Sequence, residues 1–129
     1  MKKWYRLIAT IVAAVVLSAE AAAANAADGS ASKLAQGERV FNNWCATCHS
    51  SGAGMPGTQA LQAKYNGTPP ALLLERNDLT ADQIAFFVRN GVSVMAQFRK
   101  TEVSDADLEA LTTYIVTTAR AKRQQAPSR

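Results

Sequence analysis

Cys45-Ala46-Thr47-Cys48-His49 (CATCH) is the stretch on which the reading of this chain turns. Two thiols three positions apart in near-helical backbone lie on one side of the chain. They are placed to add to the two vinyl groups along one edge of a haem. The adjacent histidine then falls beneath the iron and offers it a nitrogen. C-x-x-C-H is the attachment pattern of a c-type haem. Each of its three fixed residues has its own task, so the pattern is far more specific than C-x-x-C alone. Cys45 and Cys48 are thus the candidate covalent attachment points of one haem c, and His49 is a candidate axial iron ligand.

Other uses of these residues fit less well. A closed zinc site wants four ligands, and the whole chain holds two Cys and one His. A redox-active dithiol sits within a βαβ pattern, whereas no strand pattern precedes Cys45. A structural disulfide across so short a loop would be strained.

Upstream, the chain begins as an export leader. Lys2, Lys3 and Arg6 precede an apolar run, Leu7 to Leu17, and a small-residue stretch ending in AAAANAA. That order is the secretory signal pattern, with cleavage expected after Ala26 or Ala27. The uncharged segment Leu7–Ala19 is 13 residues long, short of the ~17–25 needed to cross a bilayer. Export also suits the motif, because c-type haem is attached outside the bacterial cytoplasm. The expected product is periplasmic, with no stable membrane insertion after cleavage. The leader takes Lys2, Lys3, Arg6 and Glu20 with it, so the formal net charge of +4 falls to about +2. No basic stripe interleaved with aromatics marks a nucleic-acid surface. The expected divisions are a cleaved leader over 1–26, a flexible lead-in over 27–32, a single domain over 33–119 and a basic polar tail over 120–129.

The rest of the chain reads as helices and loops, so the expected class is all-α. A first helix is expected from a cap at Ser32 to about Cys45, with Leu34, Val40, Phe41 and Trp44 at helical spacing. Gly37 within it costs about 1 kcal/mol against alanine, which asks for a reason such as close approach of another helix. Ser50 to Thr58 is a loop broken by Pro56. Short helical pieces are expected at Gln59–Tyr65 and Ala71–Arg76. Thr80 and Gln83 form a capping box for a helix with Ile84, Phe87 and Val88 on its apolar face and Gly91 as its stop. Val92 to Thr101 reads as an extended loop. Ser104 and Asp107 open a last helix carrying Leu108, Leu111, Tyr114, Ile115 and Thr118.

The second axial ligand comes from a short inventory. His49 is the one histidine, so this chain cannot supply another. Met55 stands too soon after His49 to reach the opposite face of a ring. Met95 lies far downstream, between two helices. Most methionines are ordinary core residues, and that reading stays open for Met95; its place in a loop, off any apolar stripe, favours ligation. Thioether ligation raises a haem's reduction potential and closes the position where oxygen or peroxide would bind.

Gly37-x-x-x-Phe41, Cys45-x-x-Cys48-His49, the late-loop Met95 and Leu111-x-x-Tyr114 together resemble the class I c-type cytochromes, over about residues 33–118. The resemblance implies a small all-α fold in which the first and last helices cross around one covalently bound haem. It gives Gly37 its reason, contact between Phe41 and the late aromatic. It also implies that the Pro56 carbonyl accepts the other imidazole N–H of His49, a bond that would fix the ring. The family commonly has proline after its methionine ligand; here Ala96 follows Met95, which puts the rigidity of the loop in question. Arg99, Lys64, Tyr65 and Trp44 are candidates to bond the propionates, each with an ordinary surface or packing role also open to it. Leu61–Tyr65, Pro69-Pro70 and Phe98-Arg99-Lys100-Thr101-Glu102 look like the small bacterial cytochromes that serve periplasmic flavoprotein dehydrogenases, such as the cytochrome subunit of p-cresol methylhydroxylase.

The expected function is that of an electron carrier, not an enzyme in its own right. It would take one electron at a time from a dehydrogenase, a flavoprotein in the narrower resemblance, and pass it to a terminal oxidase or another cytochrome. Two alternatives stand beside it. One is a catalytic or gas-binding haem protein with a labile sixth ligand; the other is a dedicated electron-transfer subunit of one enzyme complex. A domain of about 100 residues has a small core, and a haem would add a large apolar surface at its centre. Chain produced without the haem-attachment machinery is therefore expected to show little protected helix by hydrogen exchange, and a well-protected apo fold would contradict this.

Overall fold

The computed structural model describes residues 28–126. The expected leader, residues 1–26, lies outside them, as do residues 127–129 of the expected tail. Residues 28–32 are helical and belong to a first unit ending at Ser32; the compact domain begins at Lys33. The expected flexible lead-in is thus helical from residue 28, and Ser32 is no helix cap.

Within the domain, helix α1 covers residues 33–40 and runs on through a π-helical turn, Phe41–Cys45, into the short helix α2, Ala46–His49. Helix α3 is Pro56–Tyr65, a 3₁₀ turn follows at Leu73–Glu75, α4 is Ala81–Asn90 and α5 is Asp105–Gln125. Among the described residues there is no named strand, only an isolated bridge between Val92 and Met95. The domain is all-α, as expected.

Local chemistry explains most boundaries. The Thr80 hydroxyl accepts from the Gln83 amide at 3.2 Å while the Gln83 side chain accepts from the Thr80 amide at 2.9 Å, a complete capping box. Ser104 Oγ accepts from the Asp107 amide at 3.1 Å, and Asp105 and Asp107 stand at the positive end of α5. Two expectations are corrected. Pro56 opens α3 where it was expected to break a loop; a missing N–H costs nothing in a helix's first turn. The piece expected at Ala71–Arg76 is only the 3₁₀ turn. Helix α5 runs on through the basic stretch to Gln125, where Lys122 and Arg123 suit the negative end of the dipole and Lys122 pairs with Glu75 at 3.4 Å.

The core is one cluster. Val40 and Phe41 meet Ile84 and Val88 of α4 and Leu108, Leu111 and Ile115 of α5, with Val103 sealing the approach to α5. Side chains of this size each contribute about 1.5–3 kcal/mol when fully buried. Helices α1 and α5 cross at Gly37. A Cβ there would stand 2.6 Å from Tyr114 Cβ and 2.7 Å from the Ala110 carbonyl carbon. The Phe41 and Tyr114 rings lie 5.9 Å apart beside the crossing. Polar bonds fix its angle: Gln36 Nε2 donates to Asp107 Oδ1 at 2.9 Å, and Lys33 pairs with Glu109.

Gly37→Ala is therefore expected to force the two helices apart. A loss of ~2 kcal/mol or more, and a melting temperature lower by roughly 10 °C, should follow for a domain of this size. Calorimetry of the haem-loaded protein checks this; an unchanged melting temperature would mean the crossing is not tight.

Candidate functional site

The CATCH segment is delivered by the π-helical turn. One extra residue in the turn Phe41–Cys45 shifts the helical register, so Phe41 stays in the core (3 % exposed) while Cys45 is only half-buried and Cys48 is exposed. Neither thiol is in a disulfide. Burial, with the Cys48 charge beside it, pushes the Cys45 thiol up to about 11. Among the described residues no three His, Cys, Asp or Glu side chains cluster as metal ligands, so no zinc donor set assembles there.

His49 closes α2. Its Nδ1 is buried and has no hydrogen-bond partner, and burial lowers its pKa, which favours the neutral, ligating form. The bond expected from the Pro56 carbonyl is thus not made. Pro56 holds the first position of α3, where a carbonyl points along the axis into the helical ladder. What meets the ring instead is Gly57: a Cβ there would sit 2.6 Å from Cε1 and 2.8 Å from Nδ1. The start of α3 therefore forms a wall for the imidazole that only glycine allows, anchored further by Thr58 Oγ1 donating to the Ser50 carbonyl at 2.9 Å.

Met95 sits at the end of a tight turn. Val92 and Met95 exchange both backbone hydrogen bonds, at 3.0 and 2.9 Å, and Ser93 takes φ 54° between them. Gly91, at φ 70°, permits this, since a Cβ there would lie 2.6 Å from the Met95 carbonyl oxygen. The Met95 side chain is half-buried against the same apolar cluster as Cys45, with Leu73, Leu74, Leu79 and Phe98. Trp44, beside Cys45, meets Phe98, three residues past Met95, edge-on at 5.9 Å between ring centres. The attachment motif and the Met95 loop are thus brought to one apolar region.

The other sequence candidates part company. Lys64 and Tyr65 are together, the ammonium 5.1 Å from the ring centre. Trp44 is engaged with Phe98. Arg99 is turned outward in a 3.2 Å pair with Glu102. Sequence reasoning missed Arg76, which is 5 % exposed. Its guanidinium lies 4.7 Å from the Tyr65 ring centre and makes two bonds to Asp78, at 2.7 and 2.6 Å. The spacing Arg76-x-Asp78 was the available signal. Gly57 and Arg89 were missed too, because their partners lie on other elements.

These residues suit a haem c. Two free thiols stand on the same short segment as an imidazole with one buried, unsatisfied nitrogen, and Met95 packs against the same apolar cluster as Cys45 and the partly buried Leu73, Leu74 and Leu79. A surface cavity of about 390 Å³, lined by residues that include Ser51, Thr58, Gln62, Ala71 and Glu75, contains none of Cys45, Cys48, His49 and Met95 and is not this site. No helix among the described residues is long and apolar enough to cross a membrane.

Residues 32–115, more than half of the chain, match the family model described as cytochrome c oxidase, cbb3-type, subunit III. No curated protein and no solved structure matches the chain at a significant level. Gly57→Ala is expected to displace His49, at a cost of ~1–3 kcal/mol, and to lower the yield of haem-loaded protein. Gly29→Ala, with nothing within 4 Å of the added carbon, serves as the control, and equal yields would contradict the wall.

Proposed function

The chain belongs to the cytochrome c oxidase, cbb3-type, subunit III family, and we propose that it is a periplasmic one-electron carrier holding one haem c between His49 and Met95. The cytochrome c domain makes its chemistry haem-based electron transfer. When bound, the haem supplies a one-electron iron couple. The protein's residues would do the rest: Cys45 and Cys48 would hold it covalently, His49 would offer a neutral nitrogen, and Met95 would offer a thioether.

The observation that carries this reading is the shared apolar cluster of Cys45 and Met95, together with the Trp44–Phe98 contact that ties their two segments. A closed iron favours outer-edge electron transfer over substrate chemistry. Val92 and Val94, which precede Met95 on its turn, are 48 % and 85 % exposed. Exposed apolar side chains on this turn are compatible with docking of a transient protein partner. In this reading the donor is a dehydrogenase, a periplasmic flavoprotein of the p-cresol methylhydroxylase kind being one, and the acceptor is a terminal oxidase or another cytochrome. Elution apart from its donor would make the protein a free shuttle; a fixed ratio on purification would make it a dedicated subunit.

The oxidised protein is expected to show the weak far-red sulfur-to-iron charge-transfer band, and Met95→Ala to lose it. Carbon monoxide should bind the reduced wild type slowly and the variant fast. A wild type without the band and with rapid carbon monoxide binding would instead indicate the catalytic or gas-binding alternative.

A further inference from the structure

We propose that Arg89 is the positioning residue that holds the Met95 loop in its ligating register, supplying from outside the rigidity that a proline after Met95 would supply from within. This rests on the reading of Met95 as a ligand.

Arg89 stands in the last turn of α4, immediately upstream of the loop, and its side chain is 22 % exposed. Nη1 donates to the Phe98 carbonyl at 3.1 Å and to the Val103 carbonyl at 2.8 Å; Nη2 donates to Asp105 Oδ1 at 3.0 Å. The three acceptors lie on the returning half of the loop and in the first turn of α5. A guanidinium presents several donors in a rigid fork and serves such a set at once, which an ammonium on a flexible stem does not.

The bonds fall where the loop needs them. Upstream of Met95 the chain is held by the Val92–Met95 pair. Downstream, the Phe98 amide donates to the Val88 carbonyl at 2.8 Å while its carbonyl accepts from Arg89. The peptide groups flanking Phe98 are thus tied to α4 on both sides, and its ring is stopped by Trp44. Only Ala96 and Gln97 lie between the two fixed points, and both are exposed. Ala96 brings no restriction on φ of the kind proline has, so the register of Met95 depends on those anchors.

A purely structural ion pair would not need this arrangement. Asp105 already has Lys100 at 2.7 Å. Placing a mostly buried cation on two backbone carbonyls is costly unless its donors are satisfied, and here the satisfied carbonyls are those that shape the Met95 loop.

The test uses the haem-loaded protein as wild type, Arg89→Leu, Arg89→Lys and Met95→Ala, far below the melting temperature and at matched helix content by circular dichroism. Arg89→Leu is expected to weaken the far-red sulfur-to-iron band and to speed carbon monoxide binding by at least about tenfold, the factor for losing one hydrogen bond from a charged donor. Arg89→Lys should fall between it and wild type; if Arg89→Leu yields no holoprotein, Arg89→Lys against wild type decides. A wild-type band and wild-type carbon monoxide kinetics in the Arg89 variants, with only a lower melting temperature, would overturn the proposal while leaving Met95 as ligand. A wild type that lacks the band would overturn the Met95 reading itself, and this proposal with it.

Discussion

Helices α1 and α5 meet where Gly37 faces the Ala110 backbone and the Tyr114 Cβ, and the domain is built outward from that contact. With the two backbones this close, Val40 and Phe41 reach past the crossing into Leu111 and Ile115. Phe41 is also the first residue of the π-helical turn that leads to Cys45. The same contact that orders the core therefore sets where the attachment motif emerges. A small domain has little apolar area to spend on its own stability. It gains by making one helix serve both as half of the core and as the stem of the cofactor site.

The two sides of the site are held by different physics. On the His49 side the restraint is local: Met55 stands only six positions past His49, and the first turn of α3 comes back against the imidazole at Gly57. On the Met95 side the restraint is remote, because the loop between α4 and α5 has no regular ladder of its own. It relies on one tight turn, one backbone bond from Phe98 to α4 and the Arg89 guanidinium. Thioether bonds would add a covalent anchor on the first side and nothing on the second.

Legibility in the sequence followed the range of the interactions. CATCH, the capping box at Thr80 and Gln83 and the cap at Ser104 are short-range chemistry, and the structure realises both caps. The crossing at Gly37 was legible as an anomaly, a helix residue whose cost needed a partner, with the resemblance naming the partner. The π-helical turn was not legible, since Phe41-Asn42-Asn43-Trp44-Cys45 has no signal that separates it from an ordinary helical turn. Pro56 was read as a breaker although proline suits a helix's first position equally well. The imidazole partner expected at the Pro56 carbonyl proved to be a steric wall at Gly57. That substitution turns on how α3 starts, which one sequence does not reveal.

Arg89 shows the same limit from the other side. In sequence it is the polar residue next to a helix stop, and a basic residue near a helix C-terminus already has a sufficient explanation in the dipole. Only the folded chain brings the Phe98 and Val103 carbonyls to its guanidinium. The alanine at position 96 is visible in sequence as a lost restraint, but what compensates for it lies seven residues away on another element. A loop that has lost an internal restraint can keep its shape if a neighbouring side chain takes its carbonyls. The absence of proline therefore argues against a rigid ligand loop only if nothing else binds that backbone, and here Arg89 does.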